Sequence, residues 1–324
     1  MISKCGKTDK WIPIFKKQLD RIVRIKRIDL NNKNSKNPLI VTRPGTLYVV
    51  ATPIGNRDDI TLRALNILRE VDLIAAEDTR KTRRFLELHA IKSSLISYHE
   101  HNEAERTPQL IAKLKKGISI ALVSNAGTPT VSDPGYRLIT ATLTGNLNVM
   151  PIPGVSAATA ALSVAGLPTD SFVFLGFAAK KKTKRLQQLD DLASEPRTLI
   201  FYESPRRILP FLAEIKDAMG DRHVVFAREM TKLHEEFLRG RVSEIAIQLK
   251  GRINIKGECT LLVAGCDKAE SRSWEVVKQQ VRTAVLNRRN SLSVIAREIA
   301  AETGISKNKI YTQALTIKKE LKGG

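Results

Sequence analysis

From Gly45 onward the chain alternates short apolar runs with longer stretches whose apolar positions recur every three or four residues. The runs TLYVVA, DLIAAE, SLISYH, ISIALVS and LNVMPIP predict strands. Between them TLRALNILRE, RKTRRFLELH, EAERTPQLIAKLKK, YRLITATLTG and SAATAALSVAG predict helices. Apolar strands that alternate with helices need cover on both faces, so a mostly parallel sheet is expected in an α/β unit over residues 45–168. A second block, 169–267, carries SFVFLGF, TLIFYES, HVVFARE and CTLLVAG as strands, separated by helices such as ILPFLAEIKDAM and VSEIAIQLK. Its final run follows a turn signal at IKGE, which predicts a smaller mixed sheet. Residues 273–324 show only helical patterning, in EVVKQQVRTAVLN, SVIAREIAAETG and SKNKIYTQALTIKKEL. There ETGISKNKIY joins a Gly stop to a Ser N-cap, which fits a helix-turn-helix unit and a plain helical cap equally. Residues 1–44 end in the polar NNKNSKNP and read as an extension, with helical patterning from Trp11 to Ile28.

Composition narrows the class. The 324 residues suffice for two domains with real cores, at an apolar fraction of 42%. No apolar stretch reaches the roughly 18 residues that span a bilayer, and the first twenty residues lack a signal-peptide core, so a cytoplasmic protein away from membranes is expected. Cys5, Cys259 and Cys266 form an odd set without CxxC spacing, which predicts reduced thiols and no structural zinc. Lys and Arg number 54 against 33 Asp and Glu, a net charge of +21. Residues 1–44 hold twelve of the cations and three acids, a local +9. Such a surface attracts polyanions, and nucleic acid fits better than a membrane because WIPIFKKQLDRIVRIKRI is the sole basic amphipathic stretch.

In open α/β sheets ligands sit beyond the carboxyl ends of strands, so the loops after the predicted runs are where chemistry is sought. After LYVVA comes TPIGNRDDIT, with a tight turn at Pro53 and Gly55, polar Asn56 and Asp58, and a helix expected from Asp59 or Ile60. After ISIALV comes SNAGTPTVSDPG, where Gly127 permits close backbone approach, Ser124 and Thr128 offer hydroxyls, and Asp133 to Gly135 form a turn with a carboxylate. PIPGVSAATAA enters a helix whose small-residue face has room for something flat. No GxxxxGK[ST] and no clean GxGxxG occurs, which disfavours a nucleoside triphosphate or a dinucleotide.

Taken together, LYVVATPIGNRDDITLRALNILREVDLIAAEDTRKTRRFL, LVSNAGTPTVSDPG, PIPGVSAATAALSVAGLP and RTLIFYESPRRI resemble the ribosomal RNA small subunit methyltransferase I branch of the tetrapyrrole methylase superfamily. The resemblance runs from about Gly45 to Gly265 and extends to the C-terminal helices. It implies an α/β fold of two domains, a parallel-sheet N-terminal domain and a mixed-sheet second domain, that binds S-adenosylmethionine in the cleft between them, usually as a homodimer. The implied reaction is methylation of a cytidine ribose 2′-oxygen at the decoding centre of 16S rRNA in the small ribosomal subunit. Matched residue by residue, the implied cofactor loops are Pro53, Gly55 and Asn56; Ser124, Asn125, Ala126, Gly127, Thr128 and Pro129; and Pro153, Gly154, Val155, Ser156 and Ala157. Phe177 and Tyr202 join from the second domain. The family reads Asp-Ala-Gly-Thr-Pro where this chain has Asn125, which keeps size and one acceptor but not the charge.

Methyl transfer from a sulfonium is an in-line displacement, so the protein chiefly aligns donor and acceptor and excludes water. A ribose hydroxyl is a poor nucleophile, and a nearby base would help it. Glu77 and Asp78, at the end of DLIAA, are the candidate base or substrate-positioning groups, and Arg80, Lys81, Arg83 and Arg84 the candidate phosphate contacts. The competing reading has Asp78 cap the next helix and Glu77 pair with an arginine. Glu203 is a further strand-end carboxylate with Arg206 and Arg207 as partners. Lys180, Lys181, Lys182, Lys184 and Arg185 form a run that would widen a phosphate path. Tyr98, Tyr136 and Tyr202 are candidate stacking groups, though at 5% aromatic residues no interleaved platform exists. His99 and His101, two apart without a third ligand, read as solvated side chains, and no metal is expected. A small-molecule tetrapyrrole methyltransferase and a non-catalytic RNA-binding homologue are the rival functions.

Overall fold

The computed structural model describes residues 44–266, 274–287, 291–303, 305 and 307–323. The basic extension and its expected helix at Trp11–Ile28 lie outside the described residues. The first sheet holds β1 (Thr46–Val50), β2 (Leu73–Ala76), β3 (Leu95–Ser97), β4 (Ile120–Val123) and β5 (Asn148–Ile152) in the order β3-β2-β4-β1-β5, every pair parallel. Alternation sorts its side chains. Val50, Ile74, Ala76, Ala121 and Val123 pack under α1 (Leu62–Glu70) and α2 (Thr79–Leu88). Leu47, Ala75, Ile120 and Leu122 pack under α3 (Glu103–Lys115) and α4 (Tyr136–Thr144). Cover on both faces is why these strands read as continuous apolar runs. The helix after β1 opens at Leu62, later than its sequence suggests, because Arg57–Asp59 first forms a 3₁₀ turn capped by Asn56, and Thr61 then caps α1 through the Ala64 N–H.

The second sheet is mixed. Its strands β6 (Phe172–Phe177), β7 (Thr198–Glu203), β8 (His223–Arg228), β9 (Glu236–Arg241) and β10 (Cys259–Val263) run in the order β6-β7-β10-β8-β9. Only β6 and β7 are parallel, joined through α6 (Lys182–Asp191). On one face Leu199, Phe201, Phe226 and Leu261 pack with α7 (Ile208–Met219) and α8 (Val242–Lys250). On the other, Ile200, Val225 and Leu262 meet Ala158, Ala161 and Leu162 of α5 (Ala157–Ser163). The small-residue face that the sequence offers to a flat ligand is therefore filled by the second sheet. Near the C-terminus α9 (Trp274–Leu286), α10 (Leu292–Thr303) and α11 (Lys307–Gly323) enclose their own core of Val277, Val281, Ile295, Ile299, Ile310 and Ala314. Asn308 of α11 donates to Asp190 of α6 at 2.8 Å.

Two elements escape the sequence pattern, β9 and α6. In α6 the buried residues are Arg185 and Leu189. Arg185 is thus not a phosphate contact. Its guanidinium meets Glu214 of α7 in two hydrogen bonds, 2.6 and 2.8 Å, and donates to the Ala179 and Lys180 carbonyls. The pair is nearly enclosed, with side-chain exposures of 11% and 9%. Removing one partner strands a charge in a poorly solvated place. Glu214→Ala is therefore expected to lower unfolding free energy by about 3 kcal/mol or more in urea titrations, whereas Arg185→Met combined with Glu214→Leu loses far less.

Candidate functional site

The chain leaves β1 for β2 through α1 on one face of the first sheet, and leaves β4 for β5 through α4 on the other. Because β1 and β4 are neighbours, a crevice opens beyond their carboxyl ends. Thr52 and Gly127 close its floor as an isolated antiparallel bridge, exchanging N–H to carbonyl bonds of 2.8 and 2.9 Å. Gly127 has φ +78°, a conformation that glycine adopts freely. The Thr52 hydroxyl donates to the Ser124 carbonyl at 3.2 Å, and Thr128 donates to the Val155 carbonyl at 3.3 Å, which ties in the loop before α5. Farther along, Thr130 and Ser132 hold positive φ without being glycine, strain of the kind that collects at functional sites. Ser132 lies against Gly176 of β6, where a Cβ would fall 2.7 Å from its hydroxyl oxygen.

A cavity of about 320 Å³ opens between this loop and the second sheet. Gly127, Thr128, Ser156, Ala157, Phe177 and Tyr202 line it, together with Asp133, Glu258 and parts of Glu203 and Ser204. Tyr202 stands edge-on to Phe174 and Phe177, with ring centres 5.0 and 5.7 Å away. Burial raises its phenol pKa, opposed by hydrogen bonds with Ser156 and Ala158. Asp133 is the perturbed acid here. Burial, then the nearby Glu77 charge, push its carboxyl up to about 6 despite a hydrogen bond with Ser124. No cation among the described residues pairs with it in a salt bridge.

A second cavity, about 360 Å³, lies on the α2 side of the same loops. Thr52, Pro53, Gly55, Ser124 and Asn125 line it with Arg57, Lys81, Phe85 and Lys232. Ile54, Ala126 and Glu258 belong to both walls. The expected cofactor residues therefore divide between two neighbouring cavities. Asn56, Pro129, Pro153, Gly154 and Val155 line neither; Asn56 caps the 3₁₀ turn, and Gly154 packs so near Ala51 that a Cβ would lie 2.8 Å from the Ala51 Cβ.

The strand-end acids have structural partners. Asp78 caps α2 through the Arg80 N–H at 2.9 Å and pairs with the Arg80 guanidinium at 3.1 Å. Those bonds hold its carboxyl down at about 2, so it is no base at neutral pH. Glu77 accepts the Asn125 N–H at 3.0 Å and stitches the end of β2 to the motif loop. Glu203 accepts from Arg207 at 2.7 Å, as its spacing suggests, and from the Ser204 N–H. Arg80, Arg83 and Arg84 are exposed on α2, and Lys180, Lys181, Lys182 and Lys184 are exposed before and within the first turn of α6. Tyr98 does not stack on anything external, since it is buried with its hydroxyl 2.9 Å from that of Thr107. Tyr136 is open to solvent. His99 faces Asn102 and lies 6.0 Å from the His101 ring, and no group of three metal-ligating side chains occurs among the described residues. Neither Cys259 nor Cys266 forms a disulfide, and burial pushes Cys259 up to about 12, which makes it inert. Among the described residues no helix is long and apolar enough to cross a membrane. The sequence treats Asp133 only as a turn acid and passes over Arg57, Lys232 and Glu258, because their significance depends on loops that meet only in the fold.

A family model described as tetrapyrrole (corrin/porphyrin) methylases matches residues 46–246. The chain is 43% identical to a ribosomal RNA small subunit methyltransferase I of Micromonospora olivasterospora, over 83% of this chain and 86% of that one. It is 44% identical to the protein of that name from Escherichia coli O157:H7, over 84% and 95%, and 46% identical to that of Thermotoga maritima, over 68% and 99%. Among solved structures, a cobalt precorrin-4 methyltransferase superposes with a TM-score of 0.51 at 18% identity, covering 68% of this chain and 94% of its own. A diphthine synthase gives 0.51 at 15% identity, over 68% and 90%. Agreement of motif loops, sheet order and relatives leads to one placement: the chain belongs to the tetrapyrrole methylase family and, within it, to the ribosomal RNA small subunit methyltransferase I group.

Proposed function

We propose that the chain transfers a methyl group from S-adenosylmethionine to the ribose 2′-oxygen of a cytidine in the decoding centre of 16S rRNA. The names of its relatives support an rRNA acceptor. The observation that carries the donor is Asp133, a carboxylate without a salt-bridge partner among the described residues, in a largely apolar cavity at the strand-switch crevice. A site of that kind favours a cationic ligand, and a sulfonium is one. Gly127, Thr128, Ser156, Ala157, Phe177 and Tyr202 would hold the donor, the aromatic pair flanking its base.

When bound, the cofactor supplies an electrophilic methyl on a sulfonium. The rest of the task is alignment and dryness. The bridge between Thr52 and Gly127 fixes the loop backbone, and Glu77, in place of the base role considered for it, positions that loop through the Asn125 N–H. Asp133 would face the ligand's positive charge, and burial keeps its carboxyl pKa raised, at about 6. The hydroxyl proton then has an acceptor. Asn125 lines the α2-side cavity, so its missing carboxylate falls outside the donor cavity. The exposed cations on α2 and α6 suit the phosphates of a structured RNA. Homodimeric assembly and a cytoplasmic location complete the proposal.

Labelled S-adenosylmethionine and small ribosomal subunits lacking ribose methylation test it. Label at a single cytidine ribose is expected; absence of label, or label on a tetrapyrrole instead, refutes it. Asp133→Asn is expected to lower kcat by about 100-fold. In the free enzyme kcat/KM should fall about tenfold per pH unit below the Asp133 value of about 6, because protonation removes the acceptor. Stability moves the other way. A folded pKa above the unfolded one makes this group's contribution worsen as pH rises from about 4 to about 6, so Asp133→Asn should gain about 1–2 kcal/mol in denaturant titrations at neutral pH.

A further inference from the structure

We infer that the α2-side cavity is the seat of a nucleotide of the RNA substrate, with Arg57 and Lys81 on a backbone phosphate and the Phe85 wall against the sugar and base. The inference rests on the methyl-transfer reading, and Arg57 enters it from its position alone.

Arg57, Lys81 and Lys232 come from three separate elements that the fold brings to one rim. Arg57 begins the 3₁₀ turn after β1, capped by Asn56. Lys81 stands in the first turn of α2, its N–H directed at the capping Asp78 carboxylate at 3.5 Å. Lys232 lies in the loop after β8, where Glu229 and Thr231 take positive φ of 50° and 65°. That loop is locked to the first: the Asn56 N–H donates to the Thr231 hydroxyl at 2.9 Å, and Gly55 passes so near Lys232 that a Cβ would fall 2.5 Å from its Cγ. A larger residue at position 55 would wedge the rim open.

Charge is lopsided inside this cavity. Glu258 is the one carboxylate among the residues lining it, and it is already engaged by Lys232 at 3.0 Å, with Glu229 on the same ammonium at 2.8 Å. Arg57 approaches only its exposed neighbour Asp58, at 3.8 Å, and no salt bridge to Lys81 occurs among the described residues. Below the cations the floor is apolar, built from Leu68, Phe85, Leu86 and Val123. Lys232 is neutralised within its ion pairs, and low-dielectric walls under Arg57 and Lys81 focus a field that concentrates anions. An aromatic face beside that field suits a nucleotide better than a bare anion. Ile54, Ala126 and Glu258 line both cavities, so a nucleotide seated here adjoins the site of the methyl donor.

The test uses the full chain with Arg57→Gln and Lys81→Gln together. Both side chains are exposed and a melting curve confirms folding. Three quantities are read: filter binding of small-subunit rRNA across salt concentrations, KM for small subunits, and affinity for S-adenosylhomocysteine. The slope of log affinity against log salt should flatten by about two, one for each cation, and KM should rise about tenfold, with S-adenosylhomocysteine affinity unchanged. Lys115→Gln with Lys116→Gln, at the end of α3 on the opposite face of the sheet, is the control for general charge and should leave the slope nearly unaltered. An unchanged slope in the first variant, or equal flattening in the control, overturns the assignment. Lost S-adenosylhomocysteine affinity also overturns it, since the cavity would then hold the methyl donor. If the natural chain binds rRNA with the expected salt response but labels no subunit, the methyl-transfer reading fails while the flattened slope still upholds a phosphate seat.

Discussion

Two hydrogen bonds between Thr52 and Gly127 set the geometry on which the remaining site depends. They join the first residues past β1 to the loop past β4 where the two connections leave toward opposite faces of the sheet. Without that bridge the crevice at the strand switch would have two independent lips. With it, Ser124, Ala126 and Thr128 are fixed relative to Pro53 and Ile54, and each lip becomes the wall of a cavity. Glu77 reinforces the arrangement from β2, so three adjacent parallel strands contribute to one backbone framework. The positive φ values at Thr130 and Ser132 are strain held in place by this anchoring.

The second sheet comes close because small residues let it. Ala158 and Ala161 of α5 sit directly beneath Ile200, Val225 and Leu262, and Gly176 admits Ser132 where a side chain would collide. Gly55 does the same against the loop after β8. Apolar burial drives the association, but its distance is set by the absence of side-chain volume at these points. The cavity of about 320 Å³ follows from that spacing.

Much of this architecture was legible in the residue pattern. Nine of the ten strands among the described residues announce themselves as apolar runs, and in the inner ones, β1, β2, β4, β7, β8 and β10, burial on both faces leaves little room for polar residues. β9 does not, because EFLRGR is a partly exposed edge strand with two arginines, and α6 does not because KTKRLQQLDD buries little beyond Arg185 and Leu189. Arg185 looks like one more member of a solvated basic run until α7 brings Glu214 beneath it. The glycine and proline loops around the site are readable because turn chemistry is local. Asp133 is not, since its unusual proton affinity comes from burial and from Glu77 and Glu258, which are 56 and 125 positions away in sequence. Asp78 was legible as both a strand-end acid and a helix cap, and the Arg80 N–H and guanidinium make it the cap.

Ile54, Ala126 and Glu258 line both of two cavities of different electrical character, with Asp133 and Glu203 toward the second sheet and Arg57, Lys81 and Lys232 toward α2. A cation entering one cavity and a polyanion entering the other would each feel the other's field across their shared lining. Thermodynamic reciprocity then requires that whichever ligand arrives first tightens the binding of the second by the same factor as the reverse order. On the proposed reading, donor and RNA would each bind more tightly in the ternary complex than alone.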